Sequence, residues 1–364
     1  MIERVELKNF KCFKDQSFKL KSLNVLSGLN GTGKSTFIQS LLLPIQAAHQ
    51  KMLTEGLVLN GDMVELGTGK DLLCEFGDEK NIKLGYRYDD KDITFNYSYH
   101  LDKSFLPIKE INGDLGSFTK IIDNIQYISA LRIAPKSVYP ESDYNVIHRR
   151  QLGNGGEYSI QYLSEFSLDE VQNEELILNH IPEKYLKNQL HGWFNLIVPN
   201  TQLDVDKHLN TELVSLKYRF RINETEVSNF YRPANVGFGI TYVLPVILSL
   251  LKARKNDIVI IENPEAHLHP AGQRKMGELI SLAAAGGIQV IVETHSDHVL
   301  NGIRLSIKNE QINNNDVNIM FFERVLSNDI THVVHTPEIK RDGRLTYWPD
   351  GFFDEWDKAI EELF

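Results

Sequence analysis

The sequence predicts an α/β fold in which buried parallel strands alternate with helices, and three stretches indicate this. Leu23 to Leu26 (LNVL) is a short buried strand, which a glycine-rich loop connects to an apolar helix at Phe37 to Leu43. The apolar runs IVIIE, at Ile258 to Glu262, and IQVIVE, at 288 to 293, flank a helix at about 271 to 285. Strands that are apolar throughout are typical of a parallel sheet core.

Around this core the chain is organised unevenly. Residues 1 to 26 and 57 to 101 alternate in short runs typical of strands, with turns predicted at Asn60-Gly61 and Asp89-Asp90. From 135 to 200 the pattern loosens around a helical stretch at Leu168 to Phe194. The expected domains are a mixed N-terminal β lobe at 1–134, an inserted helical or irregular subdomain at 135–200 and a C-terminal lobe at 201–364.

The composition is that of an ordinary soluble protein. The 364 residues carry 39 basic and 49 acidic side chains, a net charge of −10, which argues against a surface coated for indiscriminate nucleic-acid binding. The longest apolar run, Tyr242 to Leu251, is far shorter than the roughly 20 residues of a membrane span. The N-terminus is charged where a signal peptide would be apolar. Cys12 and Cys74 are too few for a disulfide framework or a cysteine metal site. We expect a cytoplasmic protein without a membrane partner.

Residues 28 to 36 (GLNGTGKST) form the most specific motif, G-x-x-x-x-G-K-[ST]. Its glycines let successive backbone N–H groups turn toward an anion, and the following helix presents its positive end to the same point. Lys34 is predicted to lie along the β and γ phosphates of ATP, and the Ser35 hydroxyl to complete the coordination of Mg²⁺. The residues predicted to bind the nucleotide here are Asn30, Gly31, Gly33, Lys34, Ser35 and Thr36.

A hydrophobic strand that ends in a carboxylate supplies the other half of such a site. Glu262 ends the run IVIIE and is predicted, with Ser35, to be the metal-side residue for Mg²⁺. About 230 residues separate Glu262 from Lys34. This separation is too long for a compact GTPase, so a large segment is inserted between the two halves.

Four segments in this order, GLNGTGKS, NVGFG before a helix, IIENPEAHLHP and IVETHSDHVLN, resemble the ABC-type ATPase heads of the RecF, SMC and OLD (overcoming lysogenization defect) group. The opening VELKNFKCF is similar to the first strand pair of that group, and the tail DGRLTYWPDGFF resembles the C-terminal segment of a bacterial subfamily of these ATPases. The resemblance implies an ABC/SMC-head-like P-loop ATPase fold, ATP and Mg²⁺ as cofactors, and a homodimer or higher homo-oligomer formed through the ATP sites. Several members of the group act in anti-phage defence beside a nuclease, as in OLD-like and Septu-type systems.

The resemblance also implies roles for single residues. His295 matches the switch histidine that senses the γ-phosphate. Asn235, Gly237 and Gly239 match the signature segment, which contacts the γ-phosphate of the nucleotide bound by the partner subunit. The segment lacks the serine-glycine-glycine core that transporters have. Glycines at the start of a helix nevertheless expose N–H groups that favour an anion.

The position after the Mg²⁺ acid departs from the family pattern. ABC ATPases usually have a glutamate there that polarises the attacking water, and this chain has Asn263. Asparagine can orient a water but cannot take its proton. Glu265 could serve instead if the turn at Pro264 brings it inward; slow hydrolysis, with ATP acting mainly as a clamp between subunits, is the other consequence. For the glutamine-loop position, Gln126 and Arg132 both stay open.

The histidines near Glu262 allow a second interpretation. His267 and His269 form an H-x-H pattern that, with Asp297, His298 and nearby carboxylates, could ligate Zn²⁺ or Mn²⁺. The nucleotide interpretation accounts for the same residues, and we prefer it.

Three functions stay open from the sequence. The first is an ATPase subunit of a defence complex that dimerises on ATP and controls a separate nuclease or effector. The second is a stand-alone RecF- or SMC-like DNA-repair ATPase, and the third is a nuclease. OLD nucleases carry a Toprim domain after the ATPase, and the roughly 40 residues after the strand near Asn318 to Phe322 are too few for one, which disfavours the third. DNA or RNA stays open as a further partner.

Overall fold

The computed structural model describes residues 1–77, 80–208, 213–223, 226–235, 237–326 and 330–363. Its strands are β1 (Ile2–Phe10), β2 (Phe13–Lys19), β3 (Leu23–Gly28), β4 (Gly56–Val58), β5 (Asn81–Tyr88), β6 (Lys91–Ser98), β7 (Phe105–Gly113), β8 (Ile125–Ile128), β9 (Tyr139–Pro140), β10 (Thr201–Lys207), β11 (Leu213–Phe220), β12 (Ile258–Glu262), β13 (Gln289–Glu293), β14 (Val317–Leu326) and β15 (Ile330–His335). Its α-helices are α1 (Lys34–His49), α2 (Leu115–Ile122), α3 (Ser159–Phe166), α4 (Leu186–Ile197), α5 (Phe238–Lys252), α6 (Pro270–Ala285), α7 (Asp297–Lys308) and α8 (Glu355–Leu363). Within these ranges, no helix is both long and apolar enough to cross a bilayer.

The chain forms two compact units. Unit 1 comprises Met1–Ile125, Asn318–Glu338 and Tyr347–Phe364, and unit 2 comprises Gln126–Val317 and Ile339–Thr346. The predicted three-part division at 134 and 200 stays a prediction.

Unit 1 contains an antiparallel sheet with the strand order β2-β1-β5-β6-β7-β4. A two-residue turn, Asp89-Asp90, joins β5 to β6, and its φ angles are 45° and 60°. Two successive residues with positive φ are the requirement of a type I′ hairpin turn, which asparagine, aspartate and glycine adopt most readily. The predicted turn at Asp89-Asp90 is confirmed.

Unit 1 also contains β3, the strand that leads into the phosphate loop. β3 is a neighbour of β14, which pairs on its other side with β15 in antiparallel register. Buried rings pack beside these strands: the Phe18 ring centroid lies 4.7 Å from that of Phe37 on α1 and 6.0 Å from that of Phe322 on β14. This aromatic cluster fixes α1, and with it the end of the phosphate loop, against β14.

Unit 2 contains the predicted parallel strands. β12 and β13 pair in parallel from Ile258 opposite Gln289 to Glu262 opposite Glu293, and β8 borders β12. Their side chains are buried almost throughout, because helices connect and cover parallel strands. α6 connects β12 to β13, as the sequence predicts. The α/β class with a parallel core is confirmed.

The region before α5 differs from the sequence prediction. The single helical stretch predicted at Leu168 to Phe194 is wrong, because α3 ends at Phe166 and α4 begins at Leu186. Between them lies Pro182, which has no N–H to continue a helix, and Asn173, whose side chain accepts a hydrogen bond from the backbone of Glu175 and caps a short turn. β10 and β11 follow α4 and form an antiparallel sheet with the earlier strand β9, in the order β10-β11-β9, which the sequence did not indicate.

Candidate nucleotide site

The phosphate loop connects β3 to α1 in unit 1, and its path depends on glycine. Gly28, Gly31 and Gly33 have φ angles of 138°, 77° and 117°, a region that other residues rarely adopt. A Cβ on Gly28 would collide with the carbonyl oxygen of Phe322, and one on Gly33 would lie 2.7 Å from the Phe13 ring. The loop is therefore incompatible with larger residues at Gly28 and Gly33, and a larger residue at Gly31 would be strained by its backbone conformation alone.

Lys34 begins α1 and is only 4% exposed. Its Nζ donates hydrogen bonds to the carbonyl oxygens of Gly28 and Leu29, at 2.7 and 2.9 Å. The Thr32 hydroxyl donates to the same Leu29 carbonyl at 2.7 Å, which braces the loop. A cation enclosed by the loop beside the N-terminus of a helix is suited to a polyphosphate.

The other predicted residues of the loop differ in exposure. Asn30, Gly31 and Ser35 are exposed, and Thr36 is buried. The Thr36 hydroxyl accepts a weak hydrogen bond from the Cys12 thiol at 3.7 Å. Thr36 thus contributes to packing, whereas the Ser35 hydroxyl is accessible to a ligand.

His332 on β15 contacts this loop, and no sequence motif predicts that contact. Its ring centroid lies 6.2 Å from that of Phe13 in an edge-to-face arrangement. Burial lowers the pKa of His332, while a hydrogen bond with the Gly31 backbone raises it. The residues around His332 form no motif that would indicate the loop, which lies about 300 residues earlier in the sequence.

Two carboxylates lie at the carboxyl edge of the parallel strands in unit 2. Glu262 and Glu293 are register partners at the ends of β12 and β13, and Glu262 Oε2 accepts a hydrogen bond from the Ala130 N–H at 3.0 Å. Burial, and next the charge of Glu262, raise the pKa of Tyr127 well above its usual value, so this phenol keeps its proton. The sequence signal for Glu293 is that the two strands have matching endings, VIIE and VIVE.

Arg132 lies against the backbone that follows Glu262. Its guanidinium donates to the carbonyl oxygens of Glu262 and Asn263, the latter at 3.1 Å from both terminal nitrogens. Burial lowers the pKa of Arg132 to about 10, partly offset by the charges of Glu265 and Glu262, so it is cationic at neutral pH. Gln126, in contrast, accepts a hydrogen bond from the backbone N–H of Leu152 at 3.0 Å. Of the two glutamine-loop candidates, the structure places Arg132 beside Glu262.

The segment after Glu262 turns sharply, and this directs Glu265 toward the predicted switch. Asn263 has a φ of 46°, and its N–H donates to the Glu293 carbonyl at 2.8 Å. Glu265 Oε2 accepts from the Thr294 hydroxyl and Oε1 from the His295 N–H, both at 2.8 Å. The structure therefore brings Asn263, Glu265 and His295 together in unit 2.

The two signature glycines at the start of α5 differ in their surroundings. A Cβ on Gly239 would collide with the carbonyl oxygen of His267. The His267 ring also packs edge-to-face on Tyr242, with 5.1 Å between centroids. Gly237 has an ordinary φ of −55°, and apart from its chain neighbours no atom of the described residues lies within 4 Å of its Cβ position. Gly239 is thus fixed by packing, whereas Gly237 is open.

The histidines of the H-x-H pattern have structural partners. His269 is the N-cap of α6, and its Nδ1 accepts a hydrogen bond from the Ala271 N–H at 3.3 Å. Across the described ranges, no three His, Cys, Asp or Glu side chains are grouped so that they could hold a metal ion. The Ser35 hydroxyl and the Glu262 carboxylate are oxygen donors, the ligand class that Mg²⁺ takes, so the predicted residues fit this ion chemically.

Comparison with known proteins gives two family matches. Residues 23–301 match the model of a family described as AAA domain, putative AbiEii toxin, Type IV TA system. Residues 312–363 match the model of a protein of unknown function, DUF3696. No curated protein matches the chain.

Among solved structures, an SmcHead bound to the C-winged helix domain of ScpA is similar, with 14% identity, a TM-score of 0.50, and coverage of 92% of this chain and 98% of that chain. An Smc head domain with an extended coiled coil, bound to the C-terminal domain of ScpA from Pyrococcus furiosus, has 14% identity, a TM-score of 0.48, and coverage of 100% and 99%. The SMC head domain from Thermotoga maritima has 12% identity, a TM-score of 0.43, and coverage of 92% and 98%. The first similarity confirms the predicted SMC-head-like P-loop fold.

Proposed function

Because the chain belongs to the family described as AAA domain, putative AbiEii toxin, Type IV TA system, it is an ATPase of the AAA and SMC-head type, and from this premise we propose its specific function. The protein binds and slowly hydrolyses ATP, pairs with a second copy across the bound nucleotide, and controls a separate nuclease or effector in anti-phage defence. The family description, a toxin of a toxin–antitoxin system, supports a role in defence. Resemblance to OLD-like and Septu-type ATPases supports control of a partner.

One observation supports ATP binding above the others: the glycine-dependent loop encloses the Lys34 ammonium at the N-terminus of α1. Lys34 neutralises the β and γ phosphates, and the backbone N–H groups of the loop orient them. Ser35 and Glu262 are the residues that would hold Mg²⁺, which when bound neutralises charge that develops on the phosphates. These assignments rest on the motif and on oxygen chemistry.

Hydrolysis is slow in this proposal because the usual base position is asparagine. Asn263 orients the attacking water through its amide but cannot accept the proton. Glu265 is a positioning residue that holds the Thr294 hydroxyl and the His295 backbone, and so keeps the switch histidine in place. ATP then acts mainly as a clamp, and its lifetime sets how long two subunits stay paired.

Pairing is assigned to the start of α5. The open space at Gly237 leaves the backbone accessible to the γ-phosphate on a partner subunit. The positive end of the α5 dipole favours that contact.

The test is the molar mass in solution, measured by light scattering with Mg·ATP and with Mg·ADP, for wild type and Lys34→Ala. We expect ATP, but not ADP, to double the mass of wild type and to leave the variant unchanged. A mass that does not respond to ATP contradicts the clamp.

Co-expression with the product of the neighbouring gene distinguishes a subunit of a defence complex from a stand-alone repair ATPase. A nuclease that co-purifies and changes activity with ATP supports the defence complex, and ATP-dependent DNA binding without such a partner supports a stand-alone repair ATPase.

A further inference from the structure

Unit 2 contains a cleft of about 540 Å³ that shares no residue with the nucleotide site. It lies between α4 with the segment before it, the start of β10 and the residue after β11. Its ionisable lining is entirely basic, with Lys187, Arg221, His180 and His191, and it includes no aspartate or glutamate. The whole chain has a net charge of −10, so this local excess of positive charge does not follow from composition.

The cations of the cleft are Lys187 and Arg221. Lys187 and Arg221 form no ion pair with any residue in the described ranges, whereas the nearby Lys184 pairs with Glu174 at 2.7 Å. Desolvation lowers the pKa of His191, whereas a hydrogen bond with the Leu203 backbone and then the charge of Asp204 raise it; the charges of Lys187 and Arg219 are smaller causes that lower it. Lys187 and Arg221, which lack an ion-pair partner in the described ranges, make the cleft favourable for an anion.

The cleft is built on a fixed framework. A Cβ on Gly192 of α4 would collide with the side chain of Ile181, so this glycine lets the preceding segment lie directly on the helix. The Trp193 indole N–H, from the neighbouring position on α4, donates to the Leu176 carbonyl at 2.8 Å and fastens the same segment on its buried side. This wall of the cleft is therefore pre-formed.

We propose that this cleft binds a nucleoside phosphate, either free or as a nucleotide of a nucleic-acid strand. Lys187 and Arg221 suit the phosphate, because Arg offers a planar set of donors and Lys a mobile charge. Asn195 and Gln202 add amide groups, and Leu196 adds apolar surface that a base or sugar can cover. The volume lies within the roughly 300 to 1,000 Å³ typical of small-molecule sites.

The test is calorimetric titration of AMP, and separately of a 12-nucleotide single-stranded RNA, into protein carrying Lys34→Ala, which removes the cation of the phosphate loop. Lys187→Gln and Arg221→Gln are then added singly, and Lys184→Gln is the control of equal charge change outside the cleft. We expect Lys187→Gln and Arg221→Gln each to weaken binding at least about tenfold, since each removes a charge-assisted contact. We expect Lys184→Gln to have no effect.

Binding of AMP identifies a free nucleotide as the ligand, and binding of RNA alone identifies a strand. The proposal is overturned if neither probe binds with a Kd below about 1 mM, or if Lys184→Gln weakens binding as much as Lys187→Gln. Both lining residues are exposed and lie on different elements, so either variant alone can decide if the other does not fold.

Discussion

The backbone N–H of His295 donates a hydrogen bond to Glu265 Oε1 at 2.8 Å, and the Thr294 hydroxyl donates to the other carboxylate oxygen at the same distance. Glu265 is thereby fastened to the segment that carries the proposed switch histidine. Its position two residues after Asn263 places one carboxylate and one amide in the turn that follows β12. In the proposed mechanism, the rate of ATP turnover depends on which of them acts on the attacking water.

We predict that Asn263→Asp raises turnover. Asn263 has a φ of 46°, a conformation in which Asn and Asp are enriched, so Asp is better tolerated there than Glu. Aspartate has the shape of asparagine and adds a proton acceptor, and a positioned general base contributes about 10² to 10⁴-fold. Steady-state phosphate release should rise at least about tenfold from a wild-type rate on the order of one per second or less.

Glu265→Gln is the companion variant. We predict that it lowers turnover less than about tenfold, because glutamine still offers one oxygen to the His295 N–H. If Glu265→Gln stops hydrolysis while ATP still binds, and Asn263→Asp has no effect, Glu265 is the general base and the positioning role is wrong. Wild-type rates in both variants would mean that neither residue takes part in the step.

Gly237→Glu should abolish ATP-driven pairing without harming the subunit. The position is open and has an ordinary φ, so the new side chain fits, but its negative charge repels the partner's γ-phosphate. Gly237→Ala is the neutral control and should still pair. Light scattering with Mg·ATP measures the effect, and unchanged pairing in Gly237→Glu would exclude this segment from the interface. Gly239 is unsuitable for this test, because any Cβ there meets the His267 carbonyl.

His332→Ala should weaken ATP binding several-fold, because the ring packs on Phe13 and supports the loop at Gly31. The matched control is His335→Ala on the same strand, where the imidazole lies 2.7 Å from Glu323 instead. Calorimetry on both variants decides the question. Equal losses of affinity would show that β15 acts through general stability and not through the loop.

Lys252 predicts a pH dependence of stability. Burial lowers its pKa to about 8 from 10.5, although its Nζ donates to the Arg150 carbonyl at 2.8 Å. At a pH between about 8 and 10.5, Lys252 is protonated to a greater extent in the unfolded chain than in the folded chain. The Lys252 ammonium therefore makes the free energy of unfolding rise with pH over this range. Lys252→Met should therefore stabilise at pH 7, by on the order of 2 kcal/mol, and this gain should shrink by pH 10. Urea unfolding of both proteins at pH 7, 8, 9 and 10 measures it, and a gain that is constant with pH would contradict the assignment.

The parts of the site that follow from local sequence could be predicted. A motif or an apolar run of a few residues is enough to predict each of three elements: the phosphate loop, β12 with Glu262 at its end, and α6. The hairpin turn at Asp89-Asp90 was equally local, since residues that accept a positive φ stand between two alternating runs.

The remaining parts depend on contacts between residues distant in sequence. Nothing near Arg132 shows that its guanidinium reaches the carbonyls beyond Glu262, and nothing near His332 indicates the phosphate loop. The helix predicted at Leu168 to Phe194 is wrong. The prediction followed the apolar spacing, but Pro182 has no N–H with which to continue a helix, and the structure has no helix between Phe166 and Leu186 that includes it.

The most direct test of the central claim, that this loop binds ATP through Lys34, is a calorimetric titration of Mg·ATP into wild type, Lys34→Ala and Lys11→Ala. Lys11 is the control because it lies in the same unit and its Nζ donates to Gln39 of α1, outside the loop. Removal of the Lys34 ammonium forfeits a charge-assisted contact of about 1.5 to 3 kcal/mol. We expect the Kd for Mg·ATP to rise at least about tenfold in Lys34→Ala and to stay near the wild-type value in Lys11→Ala. Equal ATP affinity of wild type and Lys34→Ala would contradict it.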